Sequence, residues 1–254
     1  MTGSPTQTWI PYCGSAPLPT EWLARWNLDP ILLAALMLAL LAVGLAPTVR
    51  TGPKPRLLGA IALTAFLFVS PFCAMGSALF TVRTLHHVLL VTVLASLLAA
   101  LPIIARAASR LPLSAWTGIQ LTIFWGWHAP PLYSAALSND AVFWAMQISM
   151  ISSAAIWWAG ITTAARQGEA VAAVIALLAT MVVTGLLGAL LTFAGSALYA
   201  PHWLTTQAWG LSPLEDQQLA GIIMWAPASA IYLLAACAIL YRSLGLAPTR
   251  GAAR

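Results

Sequence analysis

The sequence predicts an all-α fold, a polytopic membrane helical bundle of about seven transmembrane helices with its N-terminus outside and its C-terminus inside. Three observations carry this. Charged residues make up 7% of the 254 residues and hydrophobic residues 61%, where a soluble domain carries about 25% charged residues. Apolar runs of spanning length recur along the chain. The Lys and Arg residues also fall in alternate loops.

Residues 1–29 are rich in Pro and Trp. They lack the basic n-region and apolar h-region of a cleavable signal peptide, so they read as an irregular outer (periplasmic) segment. Seven apolar segments follow, at 30–47, 57–76, 84–105, 112–128, 141–163, 170–194 and 218–241. The first opens at Asp29-Pro30, with Pro suited to a first helical turn, and stops at Pro47. Residues 30–241 thus form the membrane domain, 195–217 a long outer loop and 242–254 a cytoplasmic tail.

The loops assign the sides. One alternating set holds Arg50, Lys54, Arg56, Arg106, Arg110, Arg166, Arg242, Arg250 and Arg254, nine basic residues, and the other holds only Arg25 and Arg83. The positive-inside rule makes the richer set cytoplasmic, which requires an odd number of spans. Trp125, Trp127, Trp203 and Trp209 then lie near outer ends, as an interfacial belt would. The net charge of +5 does not gather into a basic patch with interleaved aromatics, so nucleic acid is excluded as a partner, and the lipid bilayer is the expected one.

Cys13, Cys73 and Cys237 are odd in number and widely spaced. They contain no CxxC pair and do not suggest a disulfide framework. Cys73 and Cys237 read as small apolar packers. No GxSxG, HExxH or P-loop pattern occurs, so an enzyme is not expected. The single lysine, Lys54, falls in an inner loop, which excludes a retinal protein.

All four histidines map to the outer side. His86 and His87 open the third segment, His128 closes the fourth, and His202 lies in the outer loop. Imidazole binds copper, zinc, iron and nickel, and thioether or thiol donors favour Cu(I). Cys73 and Met75 sit at the outer end of the second segment, and Met224 lies two turns into the seventh. Met146 and Met150 share a face of the fifth, at helical spacing. His86 and His87 point about 100° apart on a helix, so one of them faces any given site. Each of these residues also has a plainer reading, the Met as apolar filler and the His as loop or interface residues. Polar groups at membrane depth are nonetheless functional candidates by default.

Ser212 to Pro227, SPLEDQQLAGIIMWAP, is the most unusual stretch. Glu215 and Asp216 fall where the seventh helix begins, and capping that helix is their plainest role. Gln217, Gly221 and Met224 form one stripe. Gly221 permits close approach of another helix, and a Gln in lipid is costly enough to face protein.

Taken together, HHVLL at 86–90, WHAPPLYSAAL at 127–137, LYAPH at 198–202 and PLEDQQLAGIIMWAP at 213–227 resemble the seven-helix CtaG-like family of cytochrome c oxidase assembly proteins. The opening YCGSAPLPTEWLARWNLDP at 12–30 resembles the short proteobacterial branch. The resemblance implies a multi-pass protein of the bacterial inner (plasma) membrane that assists copper delivery or insertion into the oxidase. It implies oxidase subunits and a periplasmic copper chaperone as partners, and a copper ion as cargo. By the same match His87, His128 and His202 would ligate the metal, with His86, Met224, Cys73, Met75, Glu215 and Asp216 as helpers. Two departures stand out: Arg83 sits where many relatives carry a second histidine, one turn before His87, and His86 stands where Gln is common. A metal-free scaffold for oxidase subunits and a haem- or quinone-handling protein remain as alternatives.

Overall fold

The computed structural model describes Trp9, residues 11–45 and residues 54–245. Arg50, Arg250 and Arg254 lie outside the described residues. Each of the seven apolar segments is helical where described, and no strand occurs among the described residues.

The first segment is α1, Pro30–Leu45. Asp29 precedes it, and one carboxylate oxygen accepts from the backbone N–H of Ile31 at 2.8 Å and Leu32 at 3.1 Å. The second segment is broken into α2, Lys54–Phe68, and α3, Pro71–Ala78, bent by 45°. The break has a local cause. Pro71 has no N–H to donate back into α2, and the Ser70 hydroxyl caps α3 by accepting from Phe72 N–H at 3.3 Å.

The third segment begins earlier than the hydropathy suggests. It comprises α4, Phe80–Val88, then a π-helical turn at Leu89–Leu94, then α5, Ala95–Leu98. This places His86 and His87 about 10 Å down the helix rather than at its mouth. A π turn widens the backbone and leaves carbonyls free for other partners; here the Trp158 indole N–H donates to Val91 O at 2.9 Å. A short α6, Pro102–Ala108, leads to α7, Leu113–His128, and α8, Pro130–Ala136. The long α9, Asp140–Arg166, and α10, Ala170–Thr192, follow. The last segment starts at Pro213 as α11, Pro213–Trp225, and continues past Pro227 as α12, Pro227–Ser243.

Four of these helices are long and apolar enough to cross a membrane, or five if the bent α2–α3 pair is one span. α7, at 16 residues, falls short of that length, and 16 residues of α1 are described. Among the described residues the chain is therefore an all-helical membrane protein with four or five helices of spanning length.

Polar side chains tie the helices together internally. Trp157 N–H donates to Thr117 Oγ1 at 3.0 Å, and Ser153 Oγ donates to Gln120 Oε1 at 2.7 Å, both joining α9 to α7. Trp125 and Trp127, expected in an interfacial belt, turn their N–H groups onto Val183 O at 3.2 Å and Ser149 Oγ at 2.8 Å. With no water in a bilayer core, such groups find partners inside the protein. α10 and α11 approach closely through glycine. A Cβ at Gly221 would lie 2.6 Å from Gly188 O, and one at Gly188 would lie 2.7 Å from Gly221 O.

The end of the bundle nearest the N-terminal segment is roofed. The phenol of Tyr12 donates to Asp29 Oδ2 at 2.7 Å, which holds the Asp29 carboxyl below its ordinary range. Asn27 bonds through its backbone N–H to Val69 O at 2.9 Å and through its amide to Phe68 O at 3.0 Å. Trp209 N–H in the long loop reaches Pro17 O at 3.2 Å. Gln217 faces protein as its cost in lipid demands. Its Oε1 accepts from Leu198 N–H at 2.6 Å, holding the long loop down on α11.

One expectation is overturned. Cys73 is neither a free packer nor a free soft donor, because it forms a disulfide with Cys13, 60 residues away. Sequence spacing concealed the pairing; the roof brings the N-terminal segment over α3 and sets the two Cα atoms 5.5 Å apart, within disulfide reach. Cys237 is free and exposed.

Two outcomes follow. Alkylation of the unreduced, denatured chain should label Cys237 alone, and labelling after reduction should reach all three cysteines; mass spectrometry of the alkylated chain reads the difference. Gly221→Ala should lower the melting temperature in detergent, because its methyl meets backbone that cannot rotate away; overpacking of this kind costs about 1–3 kcal/mol.

Candidate functional site

The site begins with a helix start. The backbone N–H groups of Phe80 and Thr81 open α4 and have no partners within the helix. Both donate to the Asp216 carboxylate on α11, at 2.6 and 3.0 Å, and Thr81 Oγ1 donates to Asp216 O at 2.8 Å. Asp216 therefore caps the helix that carries the histidines rather than its own. Glu215 does cap its own helix, in a reciprocal box with Ser212. These roles occupy the acid pair expected as metal helpers.

From that anchored start α4 carries four buried polar residues inward, Arg83, Thr84, His86 and His87. His87 faces His128 at the end of α7, with ring centres 5.5 Å apart and planes near perpendicular. His86 points away from His128. It packs on Phe68 at 4.9 Å and lies 5.8 Å from the His87 ring. All three histidines are at most 3% exposed.

The hydrogen bonds of these rings decide what they can bind. His128 Nδ1 lies 2.7 Å from Phe124 O. A carbonyl only accepts, so Nδ1 carries the hydrogen and Nε2 presents a lone pair. That Nε2 has no partner, nor has His87 Nε2, nor either nitrogen of His86. A buried polar atom without a partner costs free energy. Imidazole nitrogens with free lone pairs are what a borderline or soft metal ion takes.

His202 stands in a neighbouring cluster. Its Nε2 shares a hydrogen bond with the Tyr133 hydroxyl at 2.7 Å, and its ring packs on Phe80 at 5.8 Å. Tyr199 stacks on Phe80 at 4.0 Å and donates its hydroxyl to His128 O at 2.8 Å. His202 and the two tyrosines therefore lie over the pair and connect to it through Tyr199 and the backbone of His128. Among the described residues, no three or more His, Cys, Asp or Glu side chains stand close enough together to hold a metal ion. Met75 is half-buried on α3. Met224 packs over Gly188, and Met146 and Met150 are fully buried in the core.

Arg83 carries the most costly group in the site. It is fully buried and forms no ion pair among the described residues. Its Nε donates to Gly76 O at 3.2 Å, while Nη1 and Nη2 have no partner. The guanidinium lies 5.4 Å above the Phe143 ring, a cation–π contact. A Cβ at Gly76 would come within 3.1 Å of its central carbon, so that glycine makes room for it. Counting charges had placed Arg83 in an outer loop, and neither its burial nor the roles of Tyr133 and Tyr199 was expected. The tyrosines sit within WHAPPLYSAAL and LYAPH, the two motifs that already drew attention through their histidines.

With this geometry in view, the comparisons decide the family. A family model described as cytochrome c oxidase caa3 assembly factor (Caa3_CtaG) matches residues 57–245. The chain belongs to that family. The matched span contains Arg83, all four histidines, Glu215 and Asp216, and leaves out Cys13. No curated protein and no solved structure matches the chain. The assembly-factor family thus gives the helical region a role beside an oxidase, while the roof segment before residue 57 lies outside the match.

Burial, reinforced by the nearby Arg83 charge, pushes the His202 pKa down to about 3. In the unfolded chain His202 protonates near 6.5. Its contribution to stability is therefore complete above about pH 6.5 and is lost progressively as the pH falls towards 3. His202→Gln removes that titration, so its melting temperature should fall less than that of the wild type between pH 6.5 and 4, measured by thermal unfolding in detergent.

Proposed function

We propose that this assembly factor holds Cu(I) transiently between His87 and His128 and passes it to cytochrome c oxidase at the outer face of the bacterial inner membrane. The observation that carries the reading is the pair of buried, facing imidazoles whose Nε2 atoms have no partner. The Phe124 carbonyl fixes the His128 tautomer with its lone pair on Nε2, as a ligating histidine needs. Two nitrogen donors suit a carrier, because a closed four-ligand site would hold its metal too firmly to hand it on. His202, Tyr133 and Tyr199 form the cover through which copper from a periplasmic chaperone enters and leaves. Oxidase subunits are the receiving partners, and the protein binds and transfers without catalysing a reaction.

The same reading sets the protein as seven membrane segments, N-out and C-in. The Cys13–Cys73 disulfide supports this, because such bonds persist in oxidising compartments such as the periplasm. The nine-to-two distribution of basic residues supports it independently. A metal-free scaffold is the second reading, favoured by the want of a third close ligand among the described residues.

The purified wild-type protein should retain Cu(I) through desalting, and His87→Ala/His128→Ala should not, as read by elemental analysis. His202→Ala, acting at one remove, should weaken retention by about tenfold. In cells the double variant should lose oxidase activity while staying in the membrane, and added copper should partly restore the activity. Lost activity without copper rescue favours the scaffold, and full activity in the double variant overturns the ligand role.

A further inference from the structure

At the end of the bundle away from the histidines lies a second concentration of unpaired charge. Two adjoining clefts of about 450 and 560 Å³ share Arg56, Ser96, Thr162 and Arg166 as lining residues. The larger adds Arg242 together with Leu97 and Ile239. Arg56 comes from the first turn of α2, Arg166 from the last turn of α9 and Arg242 from the last turn of α12. Three helices that are distant in sequence therefore bring three guanidiniums to one opening.

No carboxylate answers them. The chain has six acidic residues, and all lie among the described residues. Glu21 pairs with Arg25, Asp29 holds Tyr12 and the start of α1, and Asp140 opens α9 at its far end. Glu215 and Asp216 cap helices at the histidine end. Glu169 lines a separate neighbouring cavity with Ser109 and Gln167. Helix-dipole compensation accounts for an Arg in the last turn of α9 and of α12. It does not account for Arg56, in a first turn, nor for the convergence of all three on one cleft.

We propose that this cleft binds a phosphate group, presented by the headgroup of an anionic phospholipid. The guanidinium fork matches phosphate oxygens two at a time. The Thr162 hydroxyl, which donates to Ala159 O at 2.9 Å, can turn to a ligand oxygen instead. The mixed lining favours a lipid over free phosphate. Leu97 and Ile239 continue the cleft along the apolar helix surface, where an acyl chain would lie. Basic pockets between membrane helices are a recurrent form of anionic-lipid site. The proposal is independent of the copper reading, because it involves none of the residues at the other end.

The test uses the full-length protein in detergent, titrated separately with phosphatidylglycerol, phosphatidylcholine and inorganic phosphate. Native mass spectrometry counts retained lipid, and thermal unfolding reads stabilisation by each probe. The wild type should retain phosphatidylglycerol over phosphatidylcholine. The preference should fall about fivefold for each arginine removed, and vanish in Arg56→Gln/Arg166→Gln/Arg242→Gln. The matching triple Lys variant, which keeps the charge, should retain most of it, and serves alone with the single Gln variants if the triple Gln variant does not fold. Stabilisation by inorganic phosphate that also displaces phosphatidylglycerol would assign the same site to a free anion. Equal retention of the two lipids by the wild type, or a preference that survives in the Gln variants, overturns the proposal.

Discussion

The Asp216 carboxylate, held between the first two N–H groups of α4, is the interaction on which the rest of the histidine end depends. A helix start at membrane depth must find acceptors for its free N–H groups, because lipid offers none. Supplying them from α11 locks the beginning of the last segment to the beginning of the third. Gln217, the next residue, holds the long loop, and Gly221, about a turn further on, lets α10 approach to backbone contact. One short run of α11 therefore sets the position of α4, the roof and α10 together.

What α4 then carries inward is expensive. Arg83, His86 and His87 are all buried, and most of their side-chain nitrogens lack partners. A protein selected for stability alone would satisfy or remove such groups. Such groups are better explained by a task than by packing, and the transfer proposed above would use the His87 and His128 rings. The disulfide ties the N-terminal segment to α3, and the Tyr12–Asp29 contact ties it to the start of α1.

The molecule is electrostatically divided. The acidic residues at the histidine end are spent on capping, on Tyr12 and on one exposed ion pair, so none neutralises Arg83. At the other end the arginines are exposed around open clefts and have no acidic partner there. A buried cation raises the cost of admitting another positive charge nearby. The exposed arginines face the opposite demand and attract anions.

The membrane character, the helical nature of the seven apolar segments and the protein-facing Gln217 were legible in the sequence, because hydropathy and helical spacing are local properties of the chain. Motif resemblance also reached the family through short runs such as PLEDQQ. Which polar groups meet was a different matter. Sequence grouped His87, His128 and His202, but the fold pairs the first two and gives the third to Tyr133. It read Arg83 as a loop charge and Cys73 as free, because a one-turn shift in a helix start and a disulfide across 60 residues leave no local trace. Length and apolarity proposed seven apolar segments, yet Ser70-Pro71 bends one of them by 45°. Such outcomes depend on which side chains distant in sequence arrive at the same depth, and only tertiary packing decides that.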